Sequence, residues 1–260
     1  MCDNSGKMGS KSVPHVEEPF SRVGLLFGPA ALPRLADSAI LVVGLGAVGS
    51  FAVEALARSG VGTLYLADAD VVEPSNINRQ LYALATTIGA AKATLAAARV
   101  AEIAPACRVK PFAEFVTAEK LPRFMALKPD LVVDAIDIMR DKVSLICAAL
   151  SQGIPVVSSM GAARRYDATK VRVGALAEVT GCPLAKRLRR ELRHAPGCSE
   201  AMIEPLRCVY STEKVEPTPH LSGTLQLAKP RVMGSLVSVT GTFGLVAAGE
   251  ALRLLLSPAE

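Results

Sequence analysis

Short apolar runs alternate along the chain with stretches in which apolar residues recur at helical spacing. The short runs predict strands at residues 39–43, 63–67, 108–112, 131–134 and 156–159. Between them, helical spacing predicts helices, which span residues 48–59, 90–103 and 142–151. Strands that alternate with helices build parallel sheets through right-handed crossovers. We therefore expect an α/β fold with a doubly wound, largely parallel sheet.

The second half of the chain is less regular. Residues 170–176 alternate like a half-exposed strand, and residues 183–193 predict a strongly basic helix. The stretch 194–230 is rich in Pro, Gly and Cys, which predicts an irregular excursion over the surface. Residues 1–18 are polar and aperiodic, so we expect a disordered leader before a single domain that spans residues 19–257.

Residues 232–249 carry no charge and approach the length of a membrane span. Glycine, serine and threonine interrupt this stretch repeatedly, which favours a buried strand followed by a core helix in a C-terminal extension at residues 231–257. A membrane span is the alternative that hydropathy alone would suggest. We expect no membrane partner.

Composition limits the number of domains and the range of partners. Half of the 260 residues are hydrophobic and 20% are charged, which suits one principal core. The net charge of +5 permits a nucleic-acid partner without requiring one. Aromatic residues make up 4% of the chain and Trp is absent, so recognition of bases by stacking is not visible.

The six cysteines include no CxxC pair, and no signal peptide is recognisable at the N-terminus. We therefore expect reduced thiols, a cytoplasmic location and no zinc.

A glycine-rich turn follows the first predicted strand. Gly44, Gly46 and Gly49, with Ala47 between them, resemble the turn that lets the backbone approach a phosphate at a helix N-terminus. Asp68 ends the next strand, where a carboxylate can accept hydrogen bonds from ribose hydroxyls. This pattern predicts a Rossmann-like adenine-nucleotide site, either for NAD or for ATP. A turn that serves only the packing of the helix is the alternative.

Charged residues beyond this turn favour ATP over NAD. The loop at residues 75–80 contributes Arg79, and Lys92 follows in the next helix. Two cations near a nucleotide suit a triphosphate better than a dinucleotide. Asp137 follows the strand at 131–134, where it is placed to hold Mg²⁺ against the phosphates. Taken singly, the cations can be solvated surface charges, and Asp134 or Asp137 can cap the next helix.

These residues together resemble a known superfamily. Arg22, the run GLGAVGS, Asp68 and Asp70 before SNINRQ, Lys92 and the segment DAID are similar to the ThiF, MoeB and HesA superfamily of ubiquitin-activating-type adenylating enzymes. Within it, the chain resembles the tRNA threonylcarbamoyladenosine dehydratases. The segments that carry this finer resemblance are LLFG at 25–28, DAIDIMRDK at 134–142, Pro183-Leu184 with the basic helix, and CVYSTE at 208–213.

The resemblance implies ATP-dependent cyclisation of threonylcarbamoyladenosine in tRNA through an acyl adenylate. It implies that ATP contacts Gly44, Gly46, Ala47, Gly49, Asp68, Asp70, Asn76, Arg79, Lys92 and Asp137. It also implies that Asp137 binds Mg²⁺ and that Arg22 reaches the triphosphate of the partner subunit in a homodimer. Ala47 departs from the family pattern, which has glycine there, and its methyl group is harmless if φ is negative.

The basic helix is the candidate tRNA surface. Lys186, Arg187, Arg189 and Arg190 offer positive charge suited to a phosphate backbone, with a solvated helix as the alternative. A second group of charges extends this patch if its members lie on the surface: Arg164, Arg165, Lys170 and Arg172.

Three other functions remain open at this point. An activator of a sulfur-carrier or ubiquitin-like protein would adenylate a C-terminal carboxylate and could pass it to Cys182, Cys198 or Cys208. An NAD-dependent oxidoreductase would share the turn and Asp68 but leaves Arg79 and Lys92 without a role. A noncatalytic scaffold would bind nucleotide and recruit a cysteine desulfurase or sulfur-acceptor partner.

Overall fold

A computed structural model describes residues 18–215 and 233–257 of the chain. In these residues seven strands form one sheet, in the order β3-β2-β1-β4-β5-β7-β6. Every neighbouring pair is parallel except β6 and β7, which are antiparallel. The strands are β1 (Ala39–Val43), β2 (Thr63–Ala67), β3 (Arg108–Phe112), β4 (Leu131–Asp134), β5 (Val156–Ser159), β6 (Val171–Ala175) and β7 (Arg207–Ser211). The expected largely parallel α/β sheet is confirmed.

Helices cover both faces of the sheet. They are α1 (Ser21–Phe27), α2 (Ala31–Asp37), α3 (Gly49–Arg58), α4 (Lys92–Ile103), α5 (Leu121–Met125), α6 (Met139–Leu150), α7 (Pro183–His194), α8 (Glu200–Ile203) and α9 (Val237–Leu256). Buried apolar residues on the two faces form two clusters. Because helices cover both faces, β4 and β5 are buried at every residue, as is typical of central parallel strands.

The direction of winding changes between β1 and β4. From β1 the sheet continues through β2 and β3 on one side and through β4 and β5 on the other. Val43, the last residue of β1, is in register with Ala67 and with Asp134. The loops that follow these three strands therefore leave the same edge of the sheet side by side. Doubly wound α/β folds form their ligand crevice at this position.

The prediction of an irregular excursion at residues 194–230 is wrong for its central part. Residues 200–203 form α8, and β7 inserts between β5 and the antiparallel strand β6. Strand β7 is short and lies in a stretch rich in Pro, Gly and Cys. Its extended conformation therefore depends on hydrogen bonds to strands that are distant in sequence. Residues 1–17 and 216–232, which include most of the expected leader, lie outside the described residues.

The C-terminal extension is helical. Residues 233–236 are irregular, so the strand expected before the helix is absent from the described part of this extension. Helix α9 is long and apolar enough to cross a membrane, but 61% of its most apolar window is buried within the molecule. Gly244 lies where a Cβ would be 2.7 Å from Cβ of Phe51 in α3, so the two helices pack closely. These contacts are those of a core helix.

A disulfide joins Cys147 of α6 to Cys198 after α7, with the two Cα atoms 5.6 Å apart. The expectation that all thiols are reduced is therefore wrong for this pair. The pairing was not visible in the sequence because 51 positions separate the two cysteines. The link connects α6 to the segment between α7 and α8 on the same face of the sheet.

Reduction of this disulfide should lower the free energy of unfolding. Closure of a loop of this length reduces the entropy of the unfolded chain, which corresponds to about 4 kcal/mol. Urea unfolding with and without dithiothreitol measures the difference, and Cys198→Ser should reproduce the effect of the reductant. Cys107→Ser is the control, because Cys107 is a free thiol. Alkylation of Cys147 and Cys198 in the unreduced protein would contradict the link.

Candidate active site

The glycine turn between β1 and α3 crosses the loop after β4 at very short range. Gly44 has φ of 88°, and a Cβ at this position would lie 2.6 Å from the carbonyl oxygen of Ala135. A Cβ at Gly49 would lie 1.7 Å from the carbonyl oxygen of Gly44. Packing alone therefore requires glycine at both positions.

Packing does not explain Gly46. The atom nearest to a Cβ at Gly46 would be Nε2 of Gln80, at 3.7 Å, so the turn has open space there. Ala47 does not have a positive φ, so the backbone accommodates its methyl group without strain, as expected. Helix α3 begins two residues later, at Gly49. Open backbone beside a helix N-terminus is a site for phosphate.

Asp68 follows β2 and ties the glycine turn to the neighbouring loop. Its Oδ2 accepts a hydrogen bond from the amide of Leu45 at 2.6 Å, and its Oδ1 accepts one from the amide of Asp70 at 2.8 Å. Burial raises the pKa of the Asp68 carboxyl, although both amides act to lower it. Each carboxylate oxygen keeps a lone pair, so Asp68 can still accept ribose hydroxyls.

Asp70 and Lys92 form an ion pair with each other. The Nζ of Lys92, the first residue of α4, lies 2.8 Å from Oδ2 of Asp70, and the lysine is buried. The amide of Lys92 also donates to the carbonyl oxygen of Asp70 at 3.0 Å. A phosphate at Lys92 would therefore share the ammonium group with an exposed carboxylate or replace it.

The loop at residues 75–80 is pinned against α3. Oγ of Ser50 accepts a hydrogen bond from the amide of Leu81 at 3.2 Å, and its carbonyl oxygen accepts one from the Tyr82 hydroxyl at 3.1 Å. These bonds bring Gln80 beside Gly46. The structure thus joins the glycine turn to the cationic loop that follows it in sequence.

Asn76 and Arg79 have different roles in this loop. Asn76 is buried, and its Oδ1 accepts from the amide of Glu73 at 3.2 Å, so Asn76 shapes the loop. The guanidinium of Arg79 donates to the Ser75 carbonyl oxygen at 2.8 Å and to Oδ1 of Asn78 at 2.9 Å. Arg79 pairs with no carboxylate within residues 18–215 or 233–257, so its charge is available to a phosphate.

Asp134 is the centre of a buried polar cluster that the sequence did not reveal. Nζ of Lys142 lies 2.7 Å from Oδ2 of Asp134, and both side chains are fully buried. Oδ2 also accepts from Oγ of Ser158 at 2.7 Å, while Oδ1 accepts from the amide of Ile136 at 3.1 Å. Lys142 donates further to the carbonyl oxygen of Ile136 at 3.1 Å. The cluster therefore fixes the backbone immediately after β4.

Asp137 lies in the loop that this cluster holds. The residue is exposed, and its carboxylate has no hydrogen bond or ion pair within the part of the chain that the structure describes. Neither Asp134 nor Asp137 caps α6, because Ile138 precedes that helix and no side chain caps it. Asp137 is thus a free carboxylate at the crevice edge.

Arg22 lies at the opposite edge of the sheet. It is exposed on α1, and the preceding Phe20 packs against Gly60, which comes just before β2. The amino ends of the strands lie on this side, whereas the crevice is at their carboxyl ends. The structure therefore does not bring Arg22 to the nucleotide site of its own chain.

The four candidate cations of α7 separate into different environments. Lys186, Arg189 and Arg190 line a cavity of about 920 Å³ between α7 and residues 179–182. Arg187 lines a different cavity, between α6 and α7. Arg189 is half-buried, and its guanidinium donates to the carbonyl oxygen of Val179 at 2.6 Å. Arg189 therefore lines the cavity with its guanidinium held by the backbone.

Arg165 does not extend the basic surface, contrary to expectation. It is buried, and its Nε donates to the carbonyl oxygen of Gly161 at 3.0 Å.

The three cysteines considered as acceptors are poorly placed for acyl transfer. Burial raises the pKa of the Cys208 thiol to about 12, and its Sγ donates to the carbonyl oxygen of Leu206. Cys182 is also buried, and Cys198 is held in the disulfide. A thiol of such a high pKa is rarely the thiolate that acyl transfer requires.

The Asp134–Lys142 pair should contribute strongly to stability. Lys142→Met leaves an unpaired buried carboxylate and should lower the free energy of unfolding by about 3–5 kcal/mol. Lys120→Met is the matched control, because Lys120 forms a partly exposed pair with Glu114, and its loss should change stability by less than about 1 kcal/mol. Urea unfolding measures both, and similar effects for the two variants would contradict the importance of the buried pair.

Known proteins resemble this chain over most of its length. The sequence profile of the ThiF family matches residues 20–260. The tRNA threonylcarbamoyladenosine dehydratase of Escherichia coli (strain K12) is 38% identical over 253 residues, which cover 92% of this chain and 94% of the relative. The protein of the same name from Bacillus subtilis (strain 168) is 40% identical over 194 residues, which cover 75% and 74%.

A solved structure shares the fold as well as the sequence. The crystal structure of E. coli tRNA N6-threonylcarbamoyladenosine dehydratase, TcdA, in complex with ATP superposes with a TM-score of 0.82 at 37% identity. The superposition covers 91% of this chain and 93% of that chain. Profile, sequence and fold agree, and the chain belongs to the ThiF family.

Proposed function

We propose that this chain is an ATP-dependent tRNA threonylcarbamoyladenosine dehydratase that acts in the cytoplasm. The names of the E. coli and B. subtilis relatives and the ATP complex of the E. coli enzyme support this function. The observation that carries it is that the glycine turn with Asp68 meets the loop of Asp137 at the carboxyl edge of the sheet, beside the loop that carries the unpaired charge of Arg79. A dinucleotide oxidoreductase does not need that charge or the free carboxylate.

The first step activates the threonyl carboxylate of the substrate. A carboxylate oxygen attacks the α-phosphorus of ATP, the bond to the bridging oxygen breaks, and pyrophosphate leaves. Arg79 and Lys92 stabilise the charge that develops on the leaving group. Gly46 and the N-terminus of α3 hold phosphate oxygens, while Asp68 accepts the ribose hydroxyls.

The second step closes a ring within the substrate. The carbamoyl group attacks the activated carbonyl and loses a proton, and AMP leaves with one oxygen of the original carboxylate. The nucleoside thereby loses the atoms of one water. Because nucleophile and electrophile belong to one molecule, positioning supplies much of the rate, and no protein nucleophile is needed. The buried Cys208 is consistent with this scheme.

Asp137 fits a magnesium ion that arrives with the triphosphate. Mg²⁺ commonly binds proteins through one or two carboxylates and takes its other ligands from phosphates and water. The described residues contain no group of three or more His, Cys, Asp or Glu side chains placed to hold a metal. One free carboxylate at the crevice edge therefore suits a metal ion carried by ATP. The ion would neutralise charge on the phosphates.

Loss of the Asp137 carboxylate should slow the reaction strongly. Purified protein, Mg-ATP and tRNA that carries threonylcarbamoyladenosine are incubated, and mass spectrometry of the nucleosides should show loss of one water with release of AMP. Asp137→Ala should lower the rate by at least about 100-fold, as is usual for groups that stabilise developing charge.

Asp37→Ala is the matched control for this experiment, because Asp37 is exposed at the end of α2, on the amino side of the sheet. It should react at the rate of the unaltered protein. An unchanged nucleoside with the unaltered protein would disprove the proposed function.

We further propose that the cavity along α7 contacts the phosphate backbone of tRNA. Lys186 and Arg190 line it, together with Arg189, Arg193 and His194. Lys186 has no ion pair within the described ranges, so its charge is free for a phosphate. Arg190 lies 2.9 Å from Glu191 but has an exposed side chain that can turn to a phosphate.

Removal of these two charges should weaken binding of RNA without regard to its sequence. Lys186→Ala combined with Arg190→Ala should lower affinity for all tRNAs alike and reduce the dependence of log K on log salt by about 1 for each lost contact. Fluorescence anisotropy at several salt concentrations measures both quantities. Arg187→Ala is the control, since Arg187 lines the other cavity. An equal loss for Arg187→Ala would contradict the assignment.

A homodimer would give Arg22 a role in catalysis. Helix α1 exposes three consecutive apolar residues, Leu25, Leu26 and Phe27. An apolar surface next to Arg22 suits a subunit interface that brings this arginine to the triphosphate in the partner subunit. A cysteine desulfurase or sulfur-acceptor partner remains a prediction of the sequence alone.

A further inference from the structure

Hydrogen bonds of Arg165 and Glu213 hold the loop after β5 in place. We name residues 160–167 the rim loop, since they follow β5 at the crevice edge of the sheet. Arg165 is buried beneath it and donates to the carbonyl oxygens of Gly161 and Glu213. The carboxylate of Glu213 accepts hydrogen bonds from the amides of Tyr166 and Asp167, each at 2.9 Å. The backbone at Tyr166 is thus fixed from below.

The rim loop is connected to the cationic loop of the nucleotide site. The amide of Arg164 donates to the carbonyl oxygen of Gly234 at 2.9 Å. The next residue, Ser235, accepts a hydrogen bond from Nδ2 of Asn78 at 3.0 Å. Arg79 is the next residue after Asn78 in the chain. Residues 234–235 therefore bridge the rim loop and the loop that carries the phosphate-binding arginine.

The other side of the rim loop borders the basic cavity along α7. A Cβ at Gly161 would lie 3.8 Å from Cβ of Leu184 and 3.9 Å from Sγ of Cys182. Cys182 lines that cavity with Lys186. The rim loop therefore lies between the proposed nucleotide site and the proposed tRNA backbone site.

Tyr166 projects from this fixed backbone into solvent. Its side chain carries 68% relative exposure, more than Phe115 at 54% or Phe27 at 48%, the other exposed aromatic residues within the described ranges. Arg164, two residues earlier, has φ of 60°, a left-handed conformation that is unfavourable for arginine and persists because the surrounding bonds hold it. An exposed aromatic ring on a rigid backbone is the arrangement that RNA-binding proteins use to stack a base.

We infer that Tyr166 is a stacking residue for a nucleobase of the RNA substrate. The base belongs to the unpaired loop that carries the modified adenosine, because bases within a duplex cannot reach a protein ring. The phosphates on either side of this base would lie toward Arg79 and toward Lys186. This inference rests on the proposed function, which supplies the RNA substrate.

Substitution of Tyr166 tests stacking directly. Dye-labelled tRNA that carries threonylcarbamoyladenosine is titrated with the full chain, and anisotropy gives the Kd. Tyr166→Ala should weaken binding by about 5- to 100-fold, the range that stacking of one base supplies. Tyr166→Phe keeps the ring and should bind within about twofold of the unaltered protein. Affinity for ATP alone should be unchanged in both variants.

Phe115→Ala is the matched control, because it removes an exposed aromatic ring elsewhere on the chain and should leave the Kd unchanged. Unaltered RNA binding by Tyr166→Ala would overturn the inference. Equal losses for Tyr166→Ala and Tyr166→Phe would also overturn it, because they would assign the effect to the hydroxyl group. Binding is measured without turnover, so failure of the inference is distinct from failure of the dehydratase reaction, which would appear as an unchanged nucleoside with the unaltered protein.

Discussion

The close crossing of two backbone segments at the carboxyl edge of the sheet is the constraint on which the nucleotide site depends. Gly44 passes the carbonyl of Ala135 so closely that no side chain fits between them. Lys142 and Asp134 hold the second segment in place through a buried ion pair and a bond to Ile136. Because both segments are fixed, Gly46 remains open, and the loops that carry Asp68 and Asp137 leave the same edge of the sheet.

Charges in and around the site fall into two groups. Lys142 with Asp134 and Lys92 with Asp70 are paired within the chain and shape its loops. Arg79 and Asp137 lack an ion-pair partner in the described residues and remain available to a ligand. One cation and one carboxylate without an ion-pair partner, on loops beside a glycine turn, suit a triphosphate with its metal ion. Lys92 belongs to both groups, because an exposed carboxylate can be exchanged for a phosphate.

Local patterns allowed much of the fold and the core of the site to be predicted from sequence. Apolar runs identified β1, β2, β4 and β5, and the glycine turn with Asp68 pointed to the crevice at the carboxyl ends of β1 and β2. Strand β7 was missed because its character comes from pairing with β5 and β6, which local spacing does not report. Lys142 was missed because it occupies a helix position where lysine is usually exposed, and only the packing of α6 buries it beside Asp134.

Long-range contacts also give several polar residues structural partners that the local sequence does not reveal. The sequence predicts ligand contacts for Asn76 and Arg189, and the structure adds that the side chain of each also forms a hydrogen bond with a nearby backbone group. The burial of Arg165, and with it the fixed position of Tyr166, depends on Glu213, which is 48 residues away in the chain. Long-range contacts of this kind decide which polar residues face a substrate, and a single sequence does not contain them.

The most direct test of the account follows one oxygen atom. The threonyl carboxylate of the modified tRNA is labelled with heavy oxygen, and the AMP released by the unaltered protein is analysed by mass spectrometry. Attack of the carboxylate on the α-phosphate predicts that each AMP carries one labelled oxygen. Unlabelled AMP, or release of ADP and phosphate in its place, would contradict an acyl adenylate at this site.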